Sequence, residues 1–340
     1  MRSIATMNRS VRGYLMVLVA ATLWASLGVF YKFLINDFGL RPLTAATLRG
    51  SVGGLLLLLA LLALRVDLRV PRRDWPTFLA YGVVGVALFF ICYVNAIHLA
   101  GVGVAAVLMY TSPVWVALIS WRWMGERLGR RGVVALGCAL AGAALVARIY
   151  DWEALRLNGL GILAGLGAGI TYGLYSIFNK LLVRRNAPWV VQAYGLLIGA
   201  GVLLVLFPPT DLARGFASPR AIALILGMGI VPTLIASLAF TIGVQWIPVS
   251  MAAIVAIWEP AVATAFGYLF FGERLEPGQW LGMAGIAAAV LLLRPAEAPR
   301  PAASAGDPGR ELPDQGQRGD RDQTEFDHHP PADAPLDRVL

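Results

Sequence analysis

Charged residues are scarce in this chain. Asp, Glu, Lys and Arg together make up 14% of its 340 residues, whereas 58% of the residues are hydrophobic. Average soluble domains carry about 25% charged residues, so the composition excludes the class of water-soluble globular proteins. It is typical of a protein that crosses a membrane many times.

Cysteine and histidine are also rare. Cys92 and Cys138 both lie in apolar stretches, so they predict neither a disulfide framework nor a CxxC metal site. Of the three histidines, His328 and His329 are neighbours near the C-terminus, where a solvated pair is favoured over a metal site. HExxH, GxSxG and a metal-binding Asp/Glu cluster are absent from the sequence, which disfavours an intramembrane enzyme. No cofactor and no metal are predicted.

Long apolar runs dominate what is present. A helix needs about 20 apolar residues to cross the hydrocarbon core of a bilayer. Backbone groups in lipid must be hydrogen-bonded internally, so unalternating runs such as residues 55–64 predict helices and not barrel strands. We read the first run as an uncleaved helix, because it is too long for a signal peptide. The sequence therefore predicts an all-α integral membrane protein, with ten spans at residues 13–34, 43–64, 77–98, 102–121, 132–149, 159–182, 188–207, 221–246, 249–271 and 278–294.

Basic residues lie mainly in the short loops between the predicted spans. They give the chain a net charge of +8 without forming one basic face, so no nucleic-acid partner is predicted. Successive loops lie on opposite sides of the membrane. On this basis the side with the N-terminus carries fifteen Lys and Arg residues, and the opposite side carries seven. The positive-inside tendency then places both termini in the cytoplasm and the chain in the cytoplasmic (inner) membrane. Residues 295–340, rich in Pro, Asp and Arg, predict a disordered cytoplasmic tail.

The sequence contains an internal repeat. Residues 101–128 align with residues 248–275 at a constant offset of 147. Pro113 matches Pro260, and both stretches end in Gly-Glu-Arg-Leu. Such self-similarity indicates a structural unit used twice.

The repeat extends to the earlier helices of each half. Lys32 matches Lys180 with a one-residue slip in the alignment. Each unit contains five predicted helices, and because five is odd the second unit must enter the membrane from the opposite side. We therefore expect two inverted five-helix repeats, at residues 13–149 and 159–294.

The doubled pattern of an apolar run, a proline and Gly-Glu-Arg-Leu about eleven residues later resembles the drug/metabolite transporter superfamily, and within it the ten-helix EamA-type transporters. The resemblance covers about residues 13–294. It implies a secondary transporter in the lipid bilayer that moves a small molecule such as an amino acid, another metabolite or a drug, often in exchange for protons. We expect export of an amino acid or similar amphiphile, with an uncoupled facilitator and a multidrug exporter as alternatives. Monomer and homodimer both stay open.

Glu259 is the most conspicuous candidate for function. It lies near the middle of a predicted span, where a charge costs roughly 2.5–3.5 kcal/mol on insertion scales, so it is expected to face the bundle interior. There it would bind a proton, an amino-bearing substrate or each in turn; a protonated carboxyl that bridges two helices is the alternative. The matching position holds Ser112, so two symmetric carboxylates are not available. Pro260 and Pro113 are predicted to kink their helices.

The remaining candidates are polar or aromatic side chains within predicted spans. Some recur every four residues and so share one helix face. For each of them, bonding within its own helix, packing or an interfacial position is the alternative, and Arg49 has the further alternative of snorkelling to the outer surface. The predicted pathway residues are Thr233, Ser237, Thr241, Gln245, Tyr93, Asn95, His98, Tyr172, Tyr175, Asn179, Trp24 and Arg49, with Ser112 and Glu259.

Two further groups complete the predictions. At the ends of the repeated stretches, Glu126, Arg127, Glu273 and Arg274 are expected to cap helices or to form ion pairs that close the ends of the pathway. A four-residue glycine stripe, Gly161, Gly165, Gly169 and Gly173, predicts close helix packing, with a sliding seam as the alternative.

Overall fold

The computed structural model describes residues 9–151, 158–208, 210–216 and 218–293, and in these residues every regular element is a helix. The predicted all-α fold is thus confirmed for the described part of the chain. The predicted tail, with His328 and His329, lies outside it. The principal helices are α1 (Arg9–Asn36), α2 (Pro42–Ala63), α3 (Arg72–Ala100), α4 (Val102–Met124), α5 (Arg130–Val146), α6 (Gly159–Val183), α7 (Pro188–Leu206), α8 (Pro219–Trp246), α9 (Val249–Phe271) and α10 (Pro277–Leu292).

Eight of these helices are long and apolar enough to cross a membrane. The other two, α5 and α10, have 17 and 16 residues and pack against each other. At 1.5 Å per residue they are roughly 25 Å long, a few ångströms less than a hydrocarbon core. Ten spans therefore remain a prediction. Large apolar side chains such as Trp123 and Val205 are 72% and 77% exposed, which suits contact with lipid.

Among the described helices, α1 is interrupted at Ser26, and four others are interrupted in two matching pairs. Wide π-helical turns replace α-helix at Tyr81–Leu88 in α3 and at Gly229–Ile235 in α8. In α8 the physical cause is Pro232, which has no N–H to donate to the carbonyl of Met228. The hydroxyl of Thr233 donates to that carbonyl oxygen instead, at 2.8 Å.

The second pair of interruptions lies in α4 and α9. Helix α4 consists of Val102–Met109 and Ser112–Met124, and α9 of Val249–Ala256 and Trp258–Phe271. Pro113 and Pro260 lie in the first turn of the later segment, where a missing N–H costs little. The kinks expected at both prolines therefore take the form of short breaks.

The helices of the two halves pack across the molecule. Helix α1 packs against α8, and α6 packs against α3. Helix α2 packs against α7, as α5 does against α10. In the repeat, α1 to α5 correspond to α6 to α10 in order. Exchanging each helix for its counterpart therefore gives the same set of pairs.

The glycine stripe of α6 faces α4 and the end of α3. A methyl group on Gly165 would lie 2.5 Å from Leu108, and one on Gly169 would lie 2.6 Å from the hydroxyl of Thr111. These distances are shorter than van der Waals contact, so the helices approach each other only because the side chains are absent. Close packing, the expected role of the stripe, is confirmed.

Candidate functional site

Glu259 lies at the break in α9, in the first turn of the segment Trp258–Phe271. It is partly exposed, whereas the next residues, Pro260 and Ala261, are buried. The indole N–H of Trp258 donates to the hydroxyl of Thr22 at 3.2 Å and ties the break to α1. The first turn of a helix is the positive end of its dipole, which favours a carboxylate at this position.

Three tyrosines of other helices interact electrostatically with Glu259. Tyr93 of α3, Tyr110 at the break of α4 and Tyr172 of α6 all lie within electrostatic range of the Glu259 carboxylate. The breaks of α4 and α9 thus lie within electrostatic range of each other inside the bundle. Tyr110 was not among the predicted pathway residues. The repeat aligns it with Ile257, at the break of α9, and this match could have identified it.

Arg49 brings a positive charge to the same region. Its guanidinium carbon lies 4.5 Å from the centre of the Phe90 ring of α3, and it interacts electrostatically with Glu259 and Tyr31. The side chain therefore packs against α3, and its depth in the membrane stays a prediction. Among the described residues no salt bridge joins Arg49 to Glu259. We call Glu259, Arg49 and the three tyrosines the central site.

Aromatic rings form one side of the central site. Phe89 stacks on Tyr93 at 5.8 Å and on Tyr172 at 5.1 Å between ring centres. Trp24 packs on Tyr172 at 6.5 Å and on Phe240 at 5.3 Å. Each such pair contributes about 0.5–1.5 kcal/mol beyond its buried area, so these rings form a firm apolar wall next to the two charges.

Asn179 and Thr241 belong to a buried hydrogen-bonded network. The amide nitrogen of Asn179 donates to the hydroxyls of Tyr81, at 3.1 Å, and Thr241, at 2.9 Å. Both hydroxyls donate to the side-chain oxygen of Gln192, at 3.2 and 3.1 Å. The network joins α3, α6, α7 and α8. Sequence reasoning missed Tyr81 and Gln192; a glutamine in an otherwise apolar helix was the available signal.

The other predicted pathway residues are divided between the interior and the surface. Ser112, Thr233, Ser237 and Tyr175 are buried. Asn95 is exposed and its amide donates to the carbonyl of Ile91 in its own helix at 2.7 Å, and His98 is exposed as well. Gln245 lines a separate pocket with Lys180 at the end of α8. The structure thus does not bring Asn95, His98 or Gln245 to the central site.

The two glutamates of the repeated Gly-Glu-Arg-Leu have different partners. Glu126 accepts hydrogen bonds from the backbone of Val249 and Ser250 at the start of α9, each at 3.2 Å. Glu273 pairs with Lys32 of α1 at 2.9 Å. Their neighbours Arg127 and Arg274 are exposed, and neither forms a hydrogen bond or salt bridge with another described residue.

Eight apolar helices of spanning length, with opposite charges and aromatic rings in their midst, define a multi-pass membrane protein with a polar site inside the bundle. The model of the EamA-like transporter family matches residues 11–148 and again residues 159–294. The chain therefore belongs to the EamA-like transporter family, and it is a membrane transporter.

Curated relatives agree with this family. An uncharacterized transporter of Bacillus subtilis, YwfM, is 29% identical over 79% of this chain and 89% of its own length. An uncharacterized transporter of Archaeoglobus fulgidus is 34% identical over 59% and 70%, respectively. A probable terminal-alkyne amino-acid exporter of Streptantibioticus cattleyicolor is 27% identical over 82% and 93%.

A solved structure has the same fold. A crystal structure superimposes with a TM-score of 0.69 at 22% sequence identity, over 82% of this chain and 95% of the other. At this level of identity the likeness concerns the fold alone.

Proposed function

We propose that the protein exports a small zwitterionic metabolite, an amino acid or similar amphiphile, across the cytoplasmic membrane. The observation that carries the proposal is the pair of opposite charges in the central site, Arg49 and Glu259, which lie within electrostatic range without a salt bridge. A guanidinium binds a carboxylate through two parallel hydrogen bonds, and a carboxylate binds an ammonium group. The two ends of an amino acid would thus each meet their opposite charge.

The aromatic wall suits the rest of such a substrate. Phe89 and Tyr172 are partly exposed beside the charges, and an aliphatic or aromatic side chain would pack against them, with Trp24 buried behind Tyr172. Ligand sites commonly combine apolar surface with a few polar groups that fix orientation. The printed name of one relative, a probable amino-acid exporter, further supports this substrate class.

Proton coupling would follow from competition at Glu259. The carboxyl group binds either a proton or the ammonium group of a substrate, but not both at once. If each crossing requires one of the two, the substrate leaves in exchange for an entering proton. Transport by an uncoupled facilitator would not depend on a proton gradient. A multidrug exporter would accept cationic substrates that have no carboxylate group.

Alternating access between two inverted five-helix units, residues 13–149 and 159–294, would carry the substrate past the central site. The matched interruptions in α3 and α8 and in α4 and α9 support such units. In this arrangement α5 and α10 are the fifth and tenth crossings, and both termini are cytoplasmic.

The test is flux in proteoliposomes. We expect purified protein to take up labelled amino acids faster when a pH gradient is imposed, and we expect Glu259→Gln to remove the stimulation by the gradient because its amide does not bind a proton. Asp67→Asn, which changes an exposed loop acid, serves as the matched control.

Two results would contradict this proposal. Wild-type gradient dependence in Glu259→Gln would end the role of Glu259 in coupling. A panel in which only cations without a carboxylate are transported would favour the multidrug exporter.

A further inference from the structure

The turn between α8 and α9 is held from both sides by opposite charges. The ammonium group of Lys180, on α6, donates to the carbonyl oxygens of Val244 and Ile247, the latter at 2.9 Å. These carbonyls lie at the end of α8, the negative end of its dipole, where a cation is favoured.

On the other side of the same turn, Glu126 accepts hydrogen bonds from the N–H groups of Val249 and Ser250 and from the Ser250 hydroxyl, the last at 2.9 Å. These N–H groups lie at the positive end of α9. Each charge thus satisfies backbone groups that helix ends leave without partners. We call this arrangement, Lys180 and Glu126 on the α8–α9 turn, the clamp.

The other half contains the same residues in a different arrangement. By the repeat, Lys32 and Glu273 correspond to Lys180 and Glu126, and the α3–α4 turn corresponds to the α8–α9 turn. Lys32 and Glu273 instead bind each other at 2.9 Å, and among the described residues neither is hydrogen-bonded to the α3–α4 turn. Val102, at that turn, is 64% exposed, whereas its counterpart Val249 is 0% exposed.

Helix packing shows the same difference. The later segment of α4, Ser112–Met124, packs against the earlier segment of α9, Val249–Ala256. The matched pair, Trp258–Phe271 with Val102–Met109, has no comparable contact in the described part of the chain. The α4–α9 contact is therefore packed at one end and not at the other.

We propose that the two Lys–Glu couples exchange roles during transport. In the alternate state Lys32 and Glu273 separate and clamp the α3–α4 turn, through the carbonyls of Ile97 and Ala100 and the N–H groups of Val102 and Gly103. Lys180 and Glu126 leave the α8–α9 turn and pair with each other. The inference rests on the proposed alternating access and adds the contacts that close each end.

Charge balance makes this exchange feasible. A released clamp does not leave two bare charges, because the lysine and the glutamate neutralise each other as Lys32 and Glu273 do here. Each state then contains one clamp and one ion pair, so the two states have similar electrostatic energy, as a carrier that populates both requires. The breaks beside Pro113 and Pro260 provide the hinges at which the segments of α4 and α9 move.

Thiol labelling at the matched valines tests the exchange. In a background with Cys92→Ser and Cys138→Ser, Val102→Cys and Val249→Cys would be labelled separately with a small maleimide in detergent. We expect fast reaction at position 102 and slow reaction at 249. Glu126→Gln weakens the clamp, because a charge-assisted hydrogen bond becomes a neutral one. It should raise the rate at position 249 and lower that at 102, each by about tenfold.

Reciprocal variants sharpen the result. Glu273→Gln should act oppositely and preserve the present state, because it weakens the clamp of the alternate state more than it weakens an exposed ion pair. Ser250→Gly introduces the residue found at the matching position 103 and keeps every charge. It should shift both labelling rates a few-fold in the same direction as Glu126→Gln. Arg127→Gln removes the charge next to Glu126 in sequence; because Arg127 is exposed and forms no hydrogen bond or salt bridge with a described residue, the variant should change neither rate.

Unchanged labelling at position 249 in Glu126→Gln would overturn the proposal. So would a rise at 249 without a fall at 102, since that indicates fraying of one turn and not exchange. The proposed function fails separately: absence of amino-acid flux in the unmodified protein refutes it, whereas flux without reciprocal labelling refutes only the clamp.

Discussion

The two halves of the molecule share a pattern and differ in two kinds of detail. At the centre they differ in sequence: Glu259 has Ser112 as its counterpart, and Arg49 has Gly195. At the ends they share the same lysine and glutamate, but these residues have different partners. A difference in sequence is permanent, whereas a difference in contacts between identical residues can reverse. The two charges of the central site are thus fixed by the sequence, Arg49 in the first half and Glu259 in the second, whereas the contacts at each end would change with conformation in the proposed exchange.

The largest effect on transport is expected at Arg49, whose counterpart in the other half is a glycine. Arg49→Gln should raise the KM for amino-acid transport about 10–100-fold, because a hydrogen-bonded charge contributes roughly 1.5–3 kcal/mol. Initial rates of uptake in proteoliposomes measure it. Arg214→Gln is the control, since that arginine is exposed and donates to the carbonyl of Gly39 at 2.9 Å. A wild-type KM in Arg49→Gln would exclude its contact with a substrate carboxylate.

The counterpart of Arg49 should tolerate no side chain. A methyl group on Gly195 would lie 2.0 Å from the ring of Tyr81, which is held by Gln192 and Asn179. Gly195→Ala should therefore destabilise the fold by about 1–3 kcal/mol, as overpacking does, and lower the unfolding temperature in detergent.

Gly201→Ala, on the same helix, is the matched control because no atom lies within 4 Å of its added methyl group. It should leave stability unchanged or raise it slightly, since alanine favours helix. Equal unfolding temperatures for the two variants would show that Tyr81 moves aside easily, and would remove the steric contrast between positions 49 and 195.

A smaller effect on stability is expected at Asp211. This carboxylate caps a helix and, unlike Glu126, has no part in the proposed exchange. It accepts hydrogen bonds from the backbone N–H of Arg41 and from the hydroxyl of Thr44, both at 2.6 Å, at the start of α2. Partial desolvation acts to raise the pKa of the Asp211 carboxyl, but hydrogen bonds from Thr44 and Arg41 outweigh it and hold the pKa below its ordinary value of 3.8.

Because this pKa is lower in the folded protein, the charged cap stabilises the fold fully above pH 3.8 and loses that contribution as the pH falls through the folded value. Asp211→Asn should cost about 1 kcal/mol at neutral pH and reduce the further loss in acid. Thermal unfolding between pH 7 and pH 3 measures both. An identical acid profile in wild type and variant would contradict the role of Asp211. Asp211 could then no longer serve as the permanent cap with which the proposed reversible cap of Glu126 is compared.

Much of the architecture was predictable because its causes are local. Apolar run length predicts helices, proline predicts the interruptions in α4 and α9, and the isolated carboxylate Glu259 predicts an interior position. The π-helical turn of α3 was not predictable in this way, since no proline lies within it. For the central site, the repeat supplied the asymmetry between Glu259 and Ser112 but not the residues that surround Glu259.

By itself, the sequence determined an all-helical membrane protein, its duplicated pattern and the charges available to it, because hydrophobicity and backbone chemistry act within one segment. Tertiary structure alone decided which charges meet. It brings Lys32 to Glu273 across 241 residues, turns Arg49 toward Phe90 and joins Tyr81 to Gln192. Such contacts depend on how helices cross, and helix crossing is set by packing between distant segments, which no local pattern encodes.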